Sequence, residues 1–184
     1  AVEILVDPNT RGFCVELWGQ PPEVYAVGFE SPLGEVVPKI TPRISYSENI
    51  SFILEDTTIF VTSEIVQTVS GHQLLFMRFS NPTPGSWKIR VYTSSFNSGD
   101  YHMWLPITGF ADPDVTFLRP NPDTTLTVPA ASPSSITTAS YNAYNNSLML
   151  NSSRGFTRTG QIKPDITAPG VNLSLIHISE PTRH

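Results

Sequence analysis

The chain has 184 residues, 39% of them hydrophobic and 15% charged, with a formal net charge of −5. That is enough apolar material for one substantial core, or for one domain and part of another. Its few basic residues are scattered, with Arg154, Arg158 and Lys163 the nearest to a cluster, so no nucleic-acid partner is expected.

Residues 1–110 read as all-β. Residues 2–6 give a first short strand. In residues 12–18, Phe13, Val15 and Leu17 fall on one face, with Cys14, Glu16 and Trp18 on the other. Residues 24–30, 50–54 and 58–66 follow as further strands. Residues 72–79 are apolar on both faces, through Leu74, Leu75, Phe76, Met77 and Phe79, which predicts a central strand buried between two layers. Residues 86–92 alternate again, Trp87, Ile89 and Val91 against Lys88, Arg90 and Tyr92, and residues 101–105 close the series. Turn signals separate the runs: Asp7-Pro8-Asn9, Gln20-Pro21-Pro22, Asn81-Pro82-Thr83-Pro84-Gly85 and Asn97-Ser98-Gly99-Asp100. About eight short strands at this spacing predict a β-sandwich of jelly-roll type.

The texture changes after Phe110. Residues 111–135, with Pro113, Pro120, Pro122, Pro129 and Pro133, read as an ordered but irregular connector. Residues 135–140 form a short strand, 141–147 an Asn-rich turn, and 148–150 a brief apolar stretch. Residues 162–170 carry Pro164 and Pro169 around Asp165-Ile166-Thr167-Ala168. So few apolar residues cannot close a core alone.

Residues 151–173, NSSRGFTRTGQIKPDITAPGVNL, resemble a signature segment of the subtilisin-like serine protease family, usually SSRGP…G…KPDI.APGV.I. Upstream, TLTVPAASPSSITTASYN resembles the family strand written T…PG…ITVGA. Two motifs in the same order at compatible spacing make this specific. Phe156 stands for the usual Pro, Ala130 for a Gly, and Thr138-Ala139-Ser140 for Val-Gly-Ala, all inside structural segments. VELWGQPPEVYAVGFESPLGEVVP, FSNPTPGSWKIRVY and MWLPITGFADPDVTFLRPNPDTTLT are similar to the clostridial Csp-type branch and related Firmicute proteins. There the resemblance implies a jelly roll inserted in the protease domain ahead of the nucleophile. The expected class is therefore mainly β. A jelly-roll sandwich over 1–110 and a connector over 111–135 precede a partial strip of the α/β catalytic domain over 136–173. Residues 174–184, SLIHISEPTRH, depart from the family and resemble a translated sequencing adapter of metagenomic origin, so they are expected to be non-native.

A subtilisin-type mechanism needs an Asp that orients a His, and a His that takes the proton of the attacking Ser. The family implies this chain order, in motifs like DTG, HGTHV and GTS, and none of the three occurs here. No residue is therefore assigned as catalytic, cofactor-binding or metal-binding, and no cofactor is expected. His72 and His102 sit in predicted strands, His177 and His184 stand far from them, and Ser152 and Ser153 have no base in view. Cys14 is alone, so neither an internal disulfide nor a cysteine metal site exists. Asp165 caps a turn more readily than it holds a cation, because no acidic cluster surrounds it.

The resemblance thus implies a fragment of a serine endopeptidase, itself inactive, whose parent is secreted or spore-associated. Its expected partners are the missing remainder of the protease domain and, for the parent, a peptide or protein substrate. No apolar run reaches the ~20 residues that span a bilayer, so no membrane span is expected. The rival reading is a non-catalytic sandwich that binds a glycan or protein, with Trp18, Trp87 and Trp104 as candidate stacking residues.

Overall fold

The structure is a computed structural model that describes residues 1–40, 45–67, 71–93, 98–106 and 115–171. The chain divides into two compact units, Ala1–Pro120 and Asn121–His184. Among the described residues every regular element is a strand, so the protein is mainly β, as the alternation predicts.

The first unit holds ten strands among its described residues: β1 (Val2–Val6), β2 (Gly12–Gly19), β3 (Tyr25–Glu30), β4 (Val36–Ile40), β5 (Tyr46–Ser51), β6 (Thr58–Gln67), β7 (His72–Ser80), β8 (Gly85–Thr93), β9 (Tyr101–Trp104) and β10 (Val115–Phe117). They form two five-stranded sheets, ordered β10-β1-β8-β3-β4 and β5-β6-β7-β2-β9, with every pairing antiparallel. One hydrophobic cluster lies between them. Ile4, Val27, Phe29, Trp87 and Ile89 come from the first sheet; Val15, Leu17, Ile59, Met77 and Phe79 come from the second. The predicted alternation of β2 and β8 places Phe13, Val15 and Leu17, then Trp87 and Ile89, on this buried side.

β7 is central in its sheet, but it is not buried on both faces. Leu75, Met77 and Phe79 are buried, whereas Leu74 and Phe76 are half-buried and Arg78 is exposed. The sandwich has two layers, so each sheet owns one outer face. The sequence pattern predicts neither β4 nor β10. β4 contains Pro38, which an edge strand tolerates because its outward side needs no ladder donor. β10 has three residues and lies within the stretch read as connector, yet it pairs with β1 through Val6 and Val115.

The second unit contains a three-stranded sheet ordered β12-β11-β13, from β11 (Thr138–Asn142), β12 (Ser147–Leu148) and β13 (Ile166–Pro169). β11 and β13 run parallel, in register from Thr138 with Ile166 to Tyr141 with Pro169. Of the large hydrophobic side chains here, Val128, Ile136, Leu150, Phe156, Ile162 and Ile166 are all more than half exposed, and Ala139 is the buried apolar residue. The departure expected from residue 174 onward falls outside the described residues.

Candidate functional site

The site most open to chemical reading is the strip that carries the family-like motifs. Backbone contacts build it from both sides of β11. Thr137 accepts from the Asp165 N–H at 2.9 Å and the Ile166 N–H at 3.3 Å, which starts the parallel pair. The Gly170 N–H donates to Tyr141 at 2.9 Å and ends it. On the opposite edge of β11 the Met149 N–H donates to the Ser140 carbonyl, and the Ser140 N–H donates to Ser152 Oγ, each at 3.0 Å. Ser152 thus caps a strand edge. Upstream, Thr125 and Arg154 exchange two bonds of 2.9 Å, through the Thr125 N–H to the Arg154 carbonyl and the Arg154 N–H to Thr125 Oγ1.

Lys163 and Asp165 lock the strip. They stand just before β13, two positions apart, with their side chains in contact. The Lys163 ammonium is buried and donates to the Ser135 carbonyl at 2.5 Å and to Asp165 Oδ2 at 2.7 Å. The same oxygen accepts the Thr137 N–H at 2.7 Å. The Lys163 ammonium, seconded by the Thr137 N–H, holds the Asp165 carboxyl below its ordinary range. A buried cation left without its counter-charge is costly, so the pair is structural glue. Asp165 therefore accepts a backbone N–H across the strip, with the Lys163 ammonium as its second partner, and caps no turn. The sequence offers Lys163 only as one of a few scattered basic residues, and its place in K-P-D is the one signal of a partner.

The depressed Asp165 pKa fixes a pH dependence. The carboxylate stabilises the fold fully above its unfolded pKa of about 3.9, and that contribution drains away as pH falls through the lower folded value. Protection of the Thr137 amide against hydrogen exchange should fall on acidification in the wild type. In Asp165→Asn the loss should be present at neutral pH and flat below it. Equal profiles in the two proteins would remove Asp165 from the lock.

The remaining sequence candidates do not converge on a nucleophile. His72 is buried in β7, with Nδ1 3.3 Å from the Gly19 carbonyl. His102 lies in β9 and stacks on Trp104, with ring centroids 6.4 Å apart. Ser153 is exposed, and His177 and His184 fall outside the described residues. Among the described residues there is no group of three or more His, Cys, Asp or Glu placed to hold a metal, and no helix long and apolar enough to cross a membrane.

The three tryptophans separate. Trp87 is wholly buried, with Nε1 donating to the Thr83 carbonyl at 2.8 Å. Trp18 and Trp104 share the outer face of β2 and β9, since the register sets Trp18 against His102 and Glu16 against Trp104. Trp18 Nε1 donates to Glu16 Oε2 at 3.0 Å.

A cavity of about 200 Å³ lies beside Pro21, Pro22, Val24, Ile65 and Gly71. Its polar wall is already engaged: Gln73 bonds both the N–H and the carbonyl of Tyr25, at 2.7 and 3.1 Å, and also Ser63. That amide ties β7 of one sheet to β3 of the other.

Residues 88–183 match the subtilase family, and the chain belongs to it. The CspB protease of Clostridium perfringens is similar in fold, with a TM-score of 0.80 and 24% sequence identity. The likeness covers 94% of this chain and 36% of that one, so the chain spans about a third of that protease's length. Among curated proteins nothing matches.

Proposed function

We propose that this chain is a segment of a subtilisin-like serine endopeptidase, in which the first unit is a jelly-roll insert and the second is one strip of the catalytic domain. One observation carries the reading: within the family-matching residues, β11 and β13 form a parallel pair whose surrounding hydrophobic side chains are exposed. Parallel sheets are ordinarily covered on both faces, so this strip has the character of sheet belonging inside a larger α/β body. The parent hydrolyses peptide bonds by acyl transfer through a serine; this segment has a scaffold role and no catalysis of its own. The parent acts in a secreted or spore-associated setting.

The test is direct. The chain should resist labelling by a serine-directed fluorophosphonate, and the parent should be labelled at one serine in a GTS motif. Labelling of this chain, or a parent without DTG, HGTHV and GTS motifs, would sink the proposal.

A second reading, glycan binding by the sandwich, draws on the Trp18, His102 and Trp104 cluster beside Glu16. Aromatic faces next to polar groups suit sugar rings. Saturable binding of an oligosaccharide, lost in Trp104→Ala, would favour it.

A further inference from the structure

A buried carboxyl fastens the turn that leads into β9. Glu23, just ahead of β3, and Tyr25, its first residue, are both buried. Glu23 Oε1 accepts the Ser98 and Gly99 N–H groups at 3.0 Å, and the Gly99 N–H also reaches Oε2 at 3.0 Å. The Tyr25 hydroxyl is bonded to Glu23 Oε2 and lies 2.7 Å from the Asp100 carbonyl oxygen. Gln73 holds the Tyr25 backbone from the other sheet, and the Tyr101 ring meets the Tyr25 ring edge-on at 5.8 Å. A Cβ on Gly19 would strike the Tyr25 ring, and His72 Nδ1 is 3.3 Å from the Gly19 carbonyl, so His72 shares the neighbourhood. Among the described residues, the titratable groups around Glu23 are therefore Tyr25, Asp100, Tyr101 and His72.

The Tyr25 hydroxyl has one proton and two oxygens within reach of it. Burial, seconded by the Glu23 carboxyl, pushes the Tyr25 hydroxyl well above its ordinary range, so that proton stays on the phenol. With Glu23 ionised, the proton goes to the carboxylate and the Asp100 carbonyl goes without it. With Glu23 protonated, the carboxylic O–H donates to the Tyr25 oxygen and Tyr25 donates to Asp100. The acid form thus satisfies both contacts and still leaves Oε1 to accept from Ser98 and Gly99. Burial favours the neutral acid and the N–H donors favour the carboxylate, so the two pulls oppose each other at this group.

We propose that the Glu23 carboxyl is a proton-operated latch on β9: protonation turns the Tyr25 hydroxyl to the Asp100 carbonyl and fastens the strand, and ionisation releases it. The proton that leaves goes to water. Among the described residues β9 is an edge strand, paired with β2 alone, so the turn before it has a large share in holding it. β9 carries His102 and Trp104 on its outer face, so the latch sets how firmly that aromatic surface is held. The fastening is present at low pH and is lost as pH rises through the titration of Glu23.

The test follows the Glu23 carboxyl carbon by NMR in the full chain, together with hydrogen exchange of the β9 amides corrected for intrinsic rates, from about pH 4 to about pH 8. The two should change with one midpoint. Across it the β9 protection should fall about three- to tenfold as pH rises, the loss of one hydrogen bond. Glu23→Gln keeps the shape, and its side-chain N–H donates to the Tyr25 oxygen as the carboxylic acid does. It should hold β9 at the acid-form protection at every pH. Tyr25→Phe should hold β9 at the lower, ionised-form protection at every pH; if that variant does not fold, Glu23→Gln decides alone. A Glu23 carboxyl that keeps one form throughout the range, or one that titrates without moving β9, would overturn the proposal. So would a pH dependence of β9 that survives in Glu23→Gln, which would assign it to His72 or Asp100.

Discussion

Replacing Trp87 with alanine should cost the sandwich about 3–5 kcal/mol, the range for deleting a large aromatic from a packed core. The indole is fully buried between the sheets. Its ring meets Phe52 at 5.1 Å and Phe79 at 5.4 Å between centroids, both edge to face. Phe79 in turn stacks on Phe13 at 4.4 Å and meets Phe29 at 5.9 Å, so Trp87 links Phe52 to the rest of a continuous aromatic chain. Removing it opens a cavity and also frees the Thr83 carbonyl that Nε1 satisfies. Set against a typical total of about 5–15 kcal/mol, the loss leaves the domain near its unfolding threshold. Trp87→Phe keeps most of the packing and loses the donor, so it should cost about 1–3 kcal/mol. Urea midpoints at unchanged slope would measure both. A Trp87→Ala shift below about 1 kcal/mol would mean that the aromatic chain closes over the gap.

The core was legible because alternation is a direct print of the pleat. Phe13, Val15 and Leu17 in β2, and Trp87 with Ile89 in β8, read as one face from the sequence and lie on one face in the structure. β4 and β10 were hidden for different reasons. Pro38 argues against a strand until its edge position is known, and the three residues of β10 are too few for any period to show.

The region around Phe52 is more instructive. The apolar run from Ile50 to Leu54 predicts a strand, but β5 covers Tyr46–Ser51 and stops short. The Ile53 and Leu54 N–H groups are taken by Glu35, nearly twenty residues away, so they cannot feed a ladder. Local pattern fails here because a distant carboxylate wins the backbone, and such conflicts gather where a segment has a job besides folding.

In the second unit the family motifs were readable as strings, whereas their physical content was not. Ser152 could be doubted as a nucleophile from sequence, but its bond to the Ser140 N–H required the partner strand to be placed. Lys163 and Asp165 are two residues apart in sequence, yet only the fold brings the Ser135 carbonyl and the Thr137 N–H to them. A lysine counts as surface until something buries it, and what buries Lys163 comes from residues about thirty positions upstream.

Gly155→Ala should be the most damaging single change in the strip. A Cβ at Gly155 would overlap the Lys163 carbonyl oxygen and crowd its carbon, both backbone atoms that no rotamer change can move. The chain must separate there, and Lys163 sits at the centre of the lock that joins Ser135, Thr137 and Asp165. The collision therefore reaches the parallel pair itself, because Thr137 and Asp165 set its register. Overpacking of this kind costs about 1–3 kcal/mol in side-chain cores, and more where backbone must shift. The sandwich shares none of these bonds, so its urea midpoint should stay at the wild-type value while the Thr137 and Gly170 amides lose exchange protection. Gly170→Ala offers a graded comparison: its Cβ meets the Ser140 hydroxyl, which can rotate away, and Ser140 Cβ at 2.8 Å, which needs a smaller backbone shift than the overlap at Gly155, so the strip should suffer less. If Gly155→Ala kept full protection at Thr137, the close approach of residues 155 and 163 would not hold the strip in solution.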